Sequence, residues 1–440
     1  MKWIIALLIF SVLVLFHEFG HFLVAKLNGV EVEEFSLGFG PRLLSVVAGG
    51  TRYSVKLLWF GGSCQMKGML EEFDEEEDGS PKVPEEGSFQ SVSVGKRAAI
   101  VFAGPFFNFL LAFLCAVAVI GTMGVDQPVI LRVDAGSPAA EAGLGTGDTV
   151  TRFMGEKVII GRDYDSWYTF HDLKEGQEIT LTVLRDGEEK ELSFVPDVRY
   201  MLGMTYNVDA DEAVINEVGE GSPLEEAGVR PGDVVTAIDG TEITTSREMY
   251  DYFSSHRLSG EPVALTLRRD GGAVEVSVVP AKSSTVYPGF TCNYYYREKV
   301  SAPSVIRYSF TEVRYWILTV IRSLGSMFTG KFSVNDLSGP VGVVDIVGQT
   351  YEAARPEGAL ITLMNMLNLV ILLSANLGVM NLLPIPAVDG GRLLFLAIEA
   401  VRGKPMNRKL EMGAQMAAII LLLLLMVYVM FHDVTMLLRH

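Results

Sequence analysis

The sequence predicts a multi-domain membrane protein in which four spanning helices accompany two soluble α+β domains. The composition is the first indication, because 49% of the 440 residues are hydrophobic and yet 20% are charged. Such a mixture is typical of membrane spans joined to soluble domains. The second indication is a set of four long apolar stretches, and the third is a polar region between the second and third stretch that repeats itself.

Each predicted span is long enough to cross a bilayer as a helix. About 20 apolar residues, rising about 1.5 Å each, cross about 30 Å of hydrocarbon. The predicted spans are residues 3–25, 98–123, 359–383 and 416–431. A cleaved signal peptide is the alternative for the first stretch, but its apolar character continues to Ala25 and no A-x-A pattern follows. We therefore expect a retained span.

Charge and cysteine content exclude some classes of protein. The net charge of −17 argues against nucleic acid as a partner, because phosphates attract basic surfaces. Much of the acid lies in residues 71–86, which are expected to form a solvated loop. Cys64, Cys115 and Cys292 lie far apart in unlike segments, so neither a disulfide framework nor a cysteine metal site is indicated.

The polar region contains two copies of one pattern. "VDAGSPAAEAGLGTGDTVTRFMG" begins at Val133, "VGEGSPLEEAGVRPGDVVTAIDG" begins at Val218, and a dozen residues recur in register. Each copy predicts a strand, a short helix, a G-D turn and another strand. The pattern resembles tandem PDZ domains of the circularly permuted bacterial kind, which bind peptide termini at a sheet edge. Gly203 would lie in the carboxylate loop of the second copy, no comparable loop precedes the first, and a spacer or size filter without ligand is the alternative.

The segment 305–328 is long enough to span but carries Arg307, Arg314 and Arg322 near one stripe. This pattern favours an amphipathic helix that lies in the membrane interface. The predicted domains are therefore 1–124 (spans one and two with a β loop), 125–200 and 201–283 (the two repeats), 284–358 (a linker with the interfacial helix) and 359–440 (spans three and four).

The first span contains the pattern H-E-x-x-H. His17 and His21 are four residues apart and share one helix face, so both can bind one ion, and Glu18 is placed as a general base. Ionisable side chains within a span are costly, which favours a functional role over a polar packing cluster. A catalytic zinc also needs a third ligand. Asp389 is the favoured candidate, and the alternatives are three acids just after the span, Glu31, Glu33 and Glu34.

Topology supports Asp389. The histidines lie toward the carboxyl end of the first span, and Asp389 follows the carboxyl end of the third, so all three reach the same side if residues 305–328 do not cross. The basic loop between spans three and four is expected to be cytoplasmic, which places the zinc toward the cytoplasmic side and the repeats outside. The basic residues of this loop are Arg402, Lys404, Arg408 and Lys409.

The predicted chemistry is hydrolysis of a peptide bond with one Zn²⁺ per chain. A helical substrate hides its carbonyl groups in intrahelical hydrogen bonds and must unwind before it is cut. Residues 51–62, "TRYSVKLLWFGG", alternate as a strand and are a candidate edge for binding the unwound chain, with a plain cytoplasmic hairpin as the alternative.

Together these motifs resemble the site-2 protease family of intramembrane zinc metalloproteases. The resemblance rests on HEFGH at 17–21, AGPFFNF at 103–109, LSGPVG at 337–342 and NLLPIPAVDGG at 381–391. It implies a zinc ligand role for His17, His21 and Asp389 and a catalytic role for Glu18. It further implies substrate contacts by Asn381, Pro384, Pro386 and Asn108, with helix packing as the alternative for Asn108, and a membrane-associated β element that contains Gly61 and Gly62. Val388 departs from the usual L-D-G.

The resemblance also implies a biological setting. The expected enzyme resides in a bacterial inner membrane, in contact with lipid, and cuts single-span proteins, such as anti-sigma factors or remnant signal peptides, after a first extracytoplasmic cut. The PDZ pair would exclude untrimmed substrates. The alternatives are an inactive membrane scaffold that presents PDZ domains and a zinc sensor or transporter, neither of which needs the carboxylate of Glu18.

Overall fold

The computed structural model describes residues 2–69, 85–283, 286–333, 338–404 and 406–437. Apart from Glu85 and Glu86, the predicted acidic loop at 71–86 lies outside these residues. The chain divides into two compact units. The membrane unit comprises Met1–Asp126 and Tyr296–His440, and the repeat unit comprises Gln127–Tyr295.

The helices are α1 (Lys2–Leu27), α2 (Val94–Met123), α3 (Pro138–Glu141), α4 (Gly161–Phe170), α5 (Pro223–Glu226), α6 (Ser246–Ser255), α7 (Ala302–Phe328), α8 (Pro340–Ala354), α9 (Ala359–Leu382), α10 (Asp389–Arg402) and α11 (Arg408–Leu437). The strands are β1 (Val32–Ala48), β2 (Thr51–Met66), β3 (Ile130–Val133), β4 (Thr149–Phe153), β5 (Glu156–Lys157), β6 (Ile179–Arg185), β7 (Glu188–Phe194), β8 (Tyr200–Met201), β9 (Met204–Thr205), β10 (Glu217–Val218), β11 (Val234–Ile238), β12 (Thr241–Glu242), β13 (Val263–Arg269), β14 (Gly272–Val278), β15 (Ala281–Lys282) and β16 (Phe290–Cys292).

Four helices of the described residues, α1, α2, α9 and α11, are long and apolar enough to cross a membrane. Of these, α2 is the central helix, because it packs against α1, α7, α9 and α10. Glycines allow the closest approaches, as small residues do between membrane helices. A Cβ atom on Gly20 of α1 would lie 2.4 Å from the Ala103 carbonyl oxygen, and one on Gly378 of α9 would lie 2.6 Å from the Phe109 ring. The backbones of α1 and α9 therefore lie directly against α2.

Helix α7 carries the three arginines that predict an interfacial helix. It packs against α2 and α9, with Val313 buried beside Ala112 and Ala116 of α2. It is long enough to span, but its composition keeps it out of the four candidate spans of the described residues. Its position relative to a bilayer stays a prediction.

The S-G-P-V-G part of the LSGPVG motif leads into α8. The carboxylate of Asp433 on α11 accepts hydrogen bonds from the backbone N–H groups of Gly339 and Gly342, at 3.2 and 2.8 Å. These N–H groups have no partner within the helix at its first turn, so Asp433 caps α8. The contact fixes the carboxyl end of α11 to the start of α8.

Strands β1 and β2 form a hairpin that folds back on itself, because residues 34–37 of β1 pair with both 52–55 and 62–65 of β2. The strand that the alternation of residues 51–62 predicts is present, but residues 52–55 are paired on both sides, so the open edge lies at residues 62–65. Gly49 and Gly50 form its turn with φ of 54° and 76°, a conformation that favours glycine. The hairpin buries Glu34, whose carboxylate contacts Arg42 at 2.6 Å and Lys56 at 3.3 Å. The hydrogen bond from Arg42 is the main reason that the pKa of Glu34 falls to about 2. A buried carboxylate needs such partners, so the carboxylate of Glu34 is held by Arg42 and Lys56 within the hairpin.

The two copies of the polar repeat form sheets of identical strand order. The first is β5-β4-β6-β7 and the second is β12-β11-β13-β14. In each copy the aspartate of the G-D turn receives a two-pronged contact from the arginine of the R-D-G hairpin turn, Asp148 from Arg185 and Asp233 from Arg269, with a shortest distance of 2.6 Å in both. These pairs explain why both the G-D and the R-D-G motifs recur.

The first repeat is completed by a strand from beyond the second. Phe290–Cys292 pairs with Ile130–Val133, and Phe290 is buried in the core of the first repeat. The sequence predicts a linker that begins at residue 284 and includes this strand, and that boundary is wrong. The second repeat is an insertion within the first.

Candidate metal centre

The H-E-x-x-H pattern lies within α1, where the surrounding residues are apolar and continue the helix on both sides. His17 and His21 are 8% and 7% exposed. Since they are one helical turn apart, their rings meet, and the two Nε2 atoms are 3.2 Å apart. Both imidazoles therefore face one point.

Asp389 reaches the same point from a distant part of the chain. α9 ends at Leu382, a turn follows, and Asp389 is the first residue of α10. The turn is tight because Gly390 and Gly391 have no side chains: a Cβ atom on either would lie 2.2 Å from a carbonyl oxygen of the turn. The Oδ2 atom of Asp389 consequently lies 3.2 Å from His17 Nε2 and 3.5 Å from His21 Nε2.

This arrangement fits a zinc ion. In a tetrahedral site with bonds of about 2.0–2.1 Å, neighbouring ligand atoms lie about 3.3 Å apart, and the three distances here are 3.2, 3.2 and 3.5 Å. Asp389 Oδ2 is buried without a hydrogen-bond donor. Such an atom is costly unless a cation satisfies it. Among the described residues, this trio is the group of His, Cys, Asp and Glu side chains that can hold a metal.

The outer faces of the imidazoles are held by α2. His21 Nδ1 lies 2.9 Å from the Ile100 carbonyl oxygen, so Nδ1 carries the proton and Nε2 offers its lone pair to the site. His17 Nδ1 lies 3.1 Å from Asn108 Nδ2, while Asn108 Oδ1 is buried without a partner. Turning this amide end for end would let Oδ1 accept the His17 Nδ1 proton, which leaves His17 Nε2 to face the site. The hydroxyl group of Ser374 on α9 donates to the backbone carbonyl oxygen of Asn108 at 2.7 Å.

The general-base candidate is held by the hairpin. Glu18 is half-buried, and its Oε2 atom accepts a hydrogen bond of 2.9 Å from the Cys64 backbone N–H. A Cβ atom on Gly62 would lie 3.5 Å from Glu18 Cγ, so β2 passes directly beside this side chain. Gly61 has a φ of +82° and packs against the Phe39 ring. The outer edge of β2 therefore faces the site.

The alternative third ligands are engaged elsewhere. Glu34 is paired with Arg42 and Lys56 in the hairpin. Glu31 lies 3.6 Å from Lys67, and Glu33 is exposed. The geometry therefore favours Asp389.

A comparison with protein families decides the classification. The model for "Peptidase family M50" matches residues 5–425. The chain belongs to peptidase family M50. "Regulator of sigma E protease" of Salmonella typhi is 31% identical over 453 residues, 96% of each chain. "Zinc metalloprotease RasP" of Geobacillus kaustophilus is 30% identical over 445 residues, 97% of this chain and 96% of that one. "Regulator of sigma-E protease RseP" of Escherichia coli is 30% identical over 458 residues, 96% of each.

This M50 protein is a zinc metalloprotease, and the described part of its chain contains four helices that are long and apolar enough to cross a membrane. The resemblance to the site-2 protease family that the motifs indicate is thereby confirmed. Solved structures match only weakly. The HtrA3 PDZ domain bound to a phage-derived ligand is 18% identical and covers 20% of this chain and 89% of its own, with a TM-score of 0.17, which is too low to assign the fold of the repeats.

The predicted substrate residues lie beside the site in the chain. Asn381 is in the last turn of α9, and Pro384 and Pro386 are in the turn between α9 and α10. Among the described contacts, none joins these three residues to Glu18 or to the histidines. Their role in this M50 protease stays a proposal.

The predicted carboxylate loop of the second repeat has a counterpart in the first. Gly203 has a φ of +88° and packs against Ser222, and its carbonyl oxygen accepts from the Gly219 N–H. Gly289 has a φ of +82° and packs against Ser137, and its carbonyl oxygen accepts from the Asp134 N–H. The sequence shows no loop before the first repeat, because the loop that serves the first repeat follows the second repeat in the chain.

Gly104 is a site residue that sequence reasoning missed. A Cβ atom there would lie 2.3 Å from His21 Nε2 and 2.7 Å from His17 Cε1. The G-P-x-x-N motif contains a signal for this role. A glycine inside a helix lowers helix stability, so its presence there indicates that close packing requires it.

Proposed function

We propose that this M50 protease cuts peptide bonds within the membrane-spanning segment of single-span proteins. The observation that supports the proposal is the convergence of His17, His21 and Asp389 in a unit built around apolar helices, with Glu18 on the same helix as the two histidines. A buried site of this kind meets substrates that lie in the bilayer. One zinc ion per chain, bound by the three side chains, would supply a Lewis acid and lower the pKa of water toward about 7.

The work of the chain itself is proton transfer and orientation. The Cys64 N–H holds Glu18 Oε2, which leaves Oε1 to take a proton from the attacking water. As the C–O bond forms and the C–N bond breaks, Glu18 returns that proton to the leaving amide nitrogen. His21 keeps its Nδ1 proton on the Ile100 carbonyl, and Asn108 holds His17 in the same way.

The substrate must be extended at the scissile bond. The edge of β2 beside Glu18 offers backbone hydrogen bonds to an unwound chain, which then binds as an additional strand. Gly62 keeps this edge close to the base. Asn381, Pro384 and Pro386, in the segment that leads to Asp389, are proposed to contact the other side of the substrate.

We infer that the repeats are PDZ domains that select trimmed substrates. Both loop glycines, Gly203 and Gly289, line a single cleft of about 960 Å³ within the repeat unit. Arg132, Arg199 and Arg257 also line this cleft, and Arg132 and Arg257 are paired there with Asp134 and Asp197. Arg199 lies over the Tyr287 ring instead, and we propose it as the partner of a peptide carboxylate. In this proposal the cleft binds the short peptide end left by a first extracytoplasmic cut, and an untrimmed ectodomain is excluded. The basic residues between α10 and α11 support a zinc site toward the cytoplasmic side of a bacterial inner membrane, with the repeats outside.

The test is a comparison of wild type with Glu18→Gln, both purified in detergent. Glu18→Gln is expected to keep stoichiometric zinc and to lose cleavage of a model single-span substrate, because the amide cannot take the proton. The control is Glu33→Gln, an exposed acid of β1, which should keep both. Cleavage by purified Glu18→Gln would refute the mechanism. Zinc binding by wild type without any cleavage would favour a sensor or transporter, and absence of both would favour an inactive scaffold.

A further inference from the structure

One face of α2 contacts the metal centre along two and a half turns. Ile100 accepts from His21, Gly104 leaves room for both rings, and Asn108 contacts His17. These positions are three or four residues apart, so they lie on one face of the helix. Arg97 is the preceding member of the same stripe, yet it touches neither histidine. It binds α10 instead.

The contact between Arg97 and α10 is two-pronged and buried. Arg97 Nη2 donates to Glu399 Oε1 at 2.6 Å and Nη1 donates to Oε2 at 3.2 Å. The two side chains are only 10% and 15% exposed. An arginine fork on a carboxylate fixes direction as well as distance, which a single hydrogen bond does not. The contact therefore sets the orientation of α10 relative to α2.

Asp389 stands at the opposite end of α10, ten residues or about 15 Å before Glu399. A helix of this length moves as a rigid body, so a small rotation at Glu399 displaces its first residue. The turn before Asp389 cannot absorb the rotation freely, because Gly390 and Gly391 pack directly against its backbone. The position of Asp389 is thus set jointly by that turn and by the ion pair.

We propose that Arg97 and Glu399 are positioning residues that hold Asp389 in register with the two imidazoles. Through them, the α2 face that orients both histidines also fixes the third ligand. The pair touches neither the metal ligands nor the substrate edge. The inference rests on the proposed role of Asp389 as a zinc ligand.

The test is a double-mutant cycle on zinc affinity, measured by chelator competition on the full-length protein in detergent. Arg97→Lys keeps the charge but loses the fork, and we expect zinc to bind about tenfold more weakly. This is the lower end of the loss found when a direct partner of a metal ligand is removed, because the pair acts on Asp389 through α10. In an Asp389→Ala background the same change should alter zinc affinity less than twofold, because no third ligand remains to be displaced. Glu399→Gln is the second variant and should behave alike.

The matched control is Arg269→Lys, which breaks the equivalent fork on Asp233 in the repeat unit and should leave zinc affinity unchanged. A loss of equal size in both backgrounds would mean that Arg97 supports the fold in general, and it would overturn the inference. No loss in the parent background would overturn it as well. If Asp389→Ala by itself binds zinc like wild type, the proposed third ligand fails first, and the cycle separates that result from the other two.

Discussion

Substitution of Gly104 by alanine tests the geometry of the metal centre without changing any of its proposed ligands, because the added methyl group crowds the two imidazole rings. The added Cβ atom would lie 2.3 Å from His21 Nε2, whereas ordinary contacts begin at 3.4 Å. The imidazole must therefore withdraw by about 1 Å, while zinc tolerates only about 0.2 Å in its ligand distances. Overpacking of this kind costs about 1–3 kcal/mol. If the whole cost falls on the zinc-bound geometry, zinc binds about 5- to 150-fold more weakly.

The assay is chelator competition at pH 7 on detergent-purified protein, with cleavage of a model substrate as the second readout. Gly121→Ala is the control on the same helix, because its nearest neighbour would be Val305 Cγ1 at 3.9 Å. This variant should bind zinc and cleave as wild type does. A Gly104→Ala protein that elutes as a folded monodisperse species and binds zinc within twofold of wild type would refute the geometry of the site.

Two further outcomes are expected. Gly62→Val should lower the cleavage rate about 10- to 100-fold while zinc affinity holds, because the larger side chain pushes β2 away from Glu18; a parallel loss of zinc would contradict this separation of roles. In the repeat unit, the hydrogen bond from Arg269 lowers the pKa of Asp233. The Asp233–Arg269 pair therefore stabilises the fold fully above the pKa of Asp233 in the unfolded chain, about 3.9. This stabilisation is lost as the pH falls through the lower pKa of Asp233 in the folded protein. Hydrogen exchange of the second repeat between pH 7 and pH 2.5 should therefore show a steeper loss of protection in wild type than in Asp233→Asn, and identical slopes would count against the pairing.

The sequence predicted the parts of the site that have a local signature. His17, Glu18 and His21 stand within one helical turn of an apolar stretch, so their common location follows from helix geometry alone. Asp389 was favoured by counting spans, which is a weaker argument, and the structure brings it within 3.5 Å of both imidazoles. The role of these residues as ligands stays a proposal until zinc is measured.

The remaining features depend on contacts that no local pattern encodes. Arg97 and Glu399 are separated by 302 positions. Arg97 looks like an ordinary charge at the start of an apolar helix, and Glu399 like one on an amphipathic helix. The strand Phe290–Cys292 is too short to show an alternation and pairs with a partner on the far side of a whole repeat. From the sequence alone, Gly104 looks like a glycine that lets two helices pack closely. Its role beside the metal centre is seen only when the rings of His17 and His21 are found against it. In each case the decisive information is which elements pack together.

The return of the chain to Ile130–Val133 constrains the order in which the repeat unit can be made. During synthesis the first repeat emerges with one sheet edge unpaired and without Phe290 in its core. It reaches its final form only after the whole second repeat has followed it out. A chain that stalls or is cut between the two copies therefore leaves the earlier copy unfinished, whereas the later copy draws its core from the continuous segment 202–278.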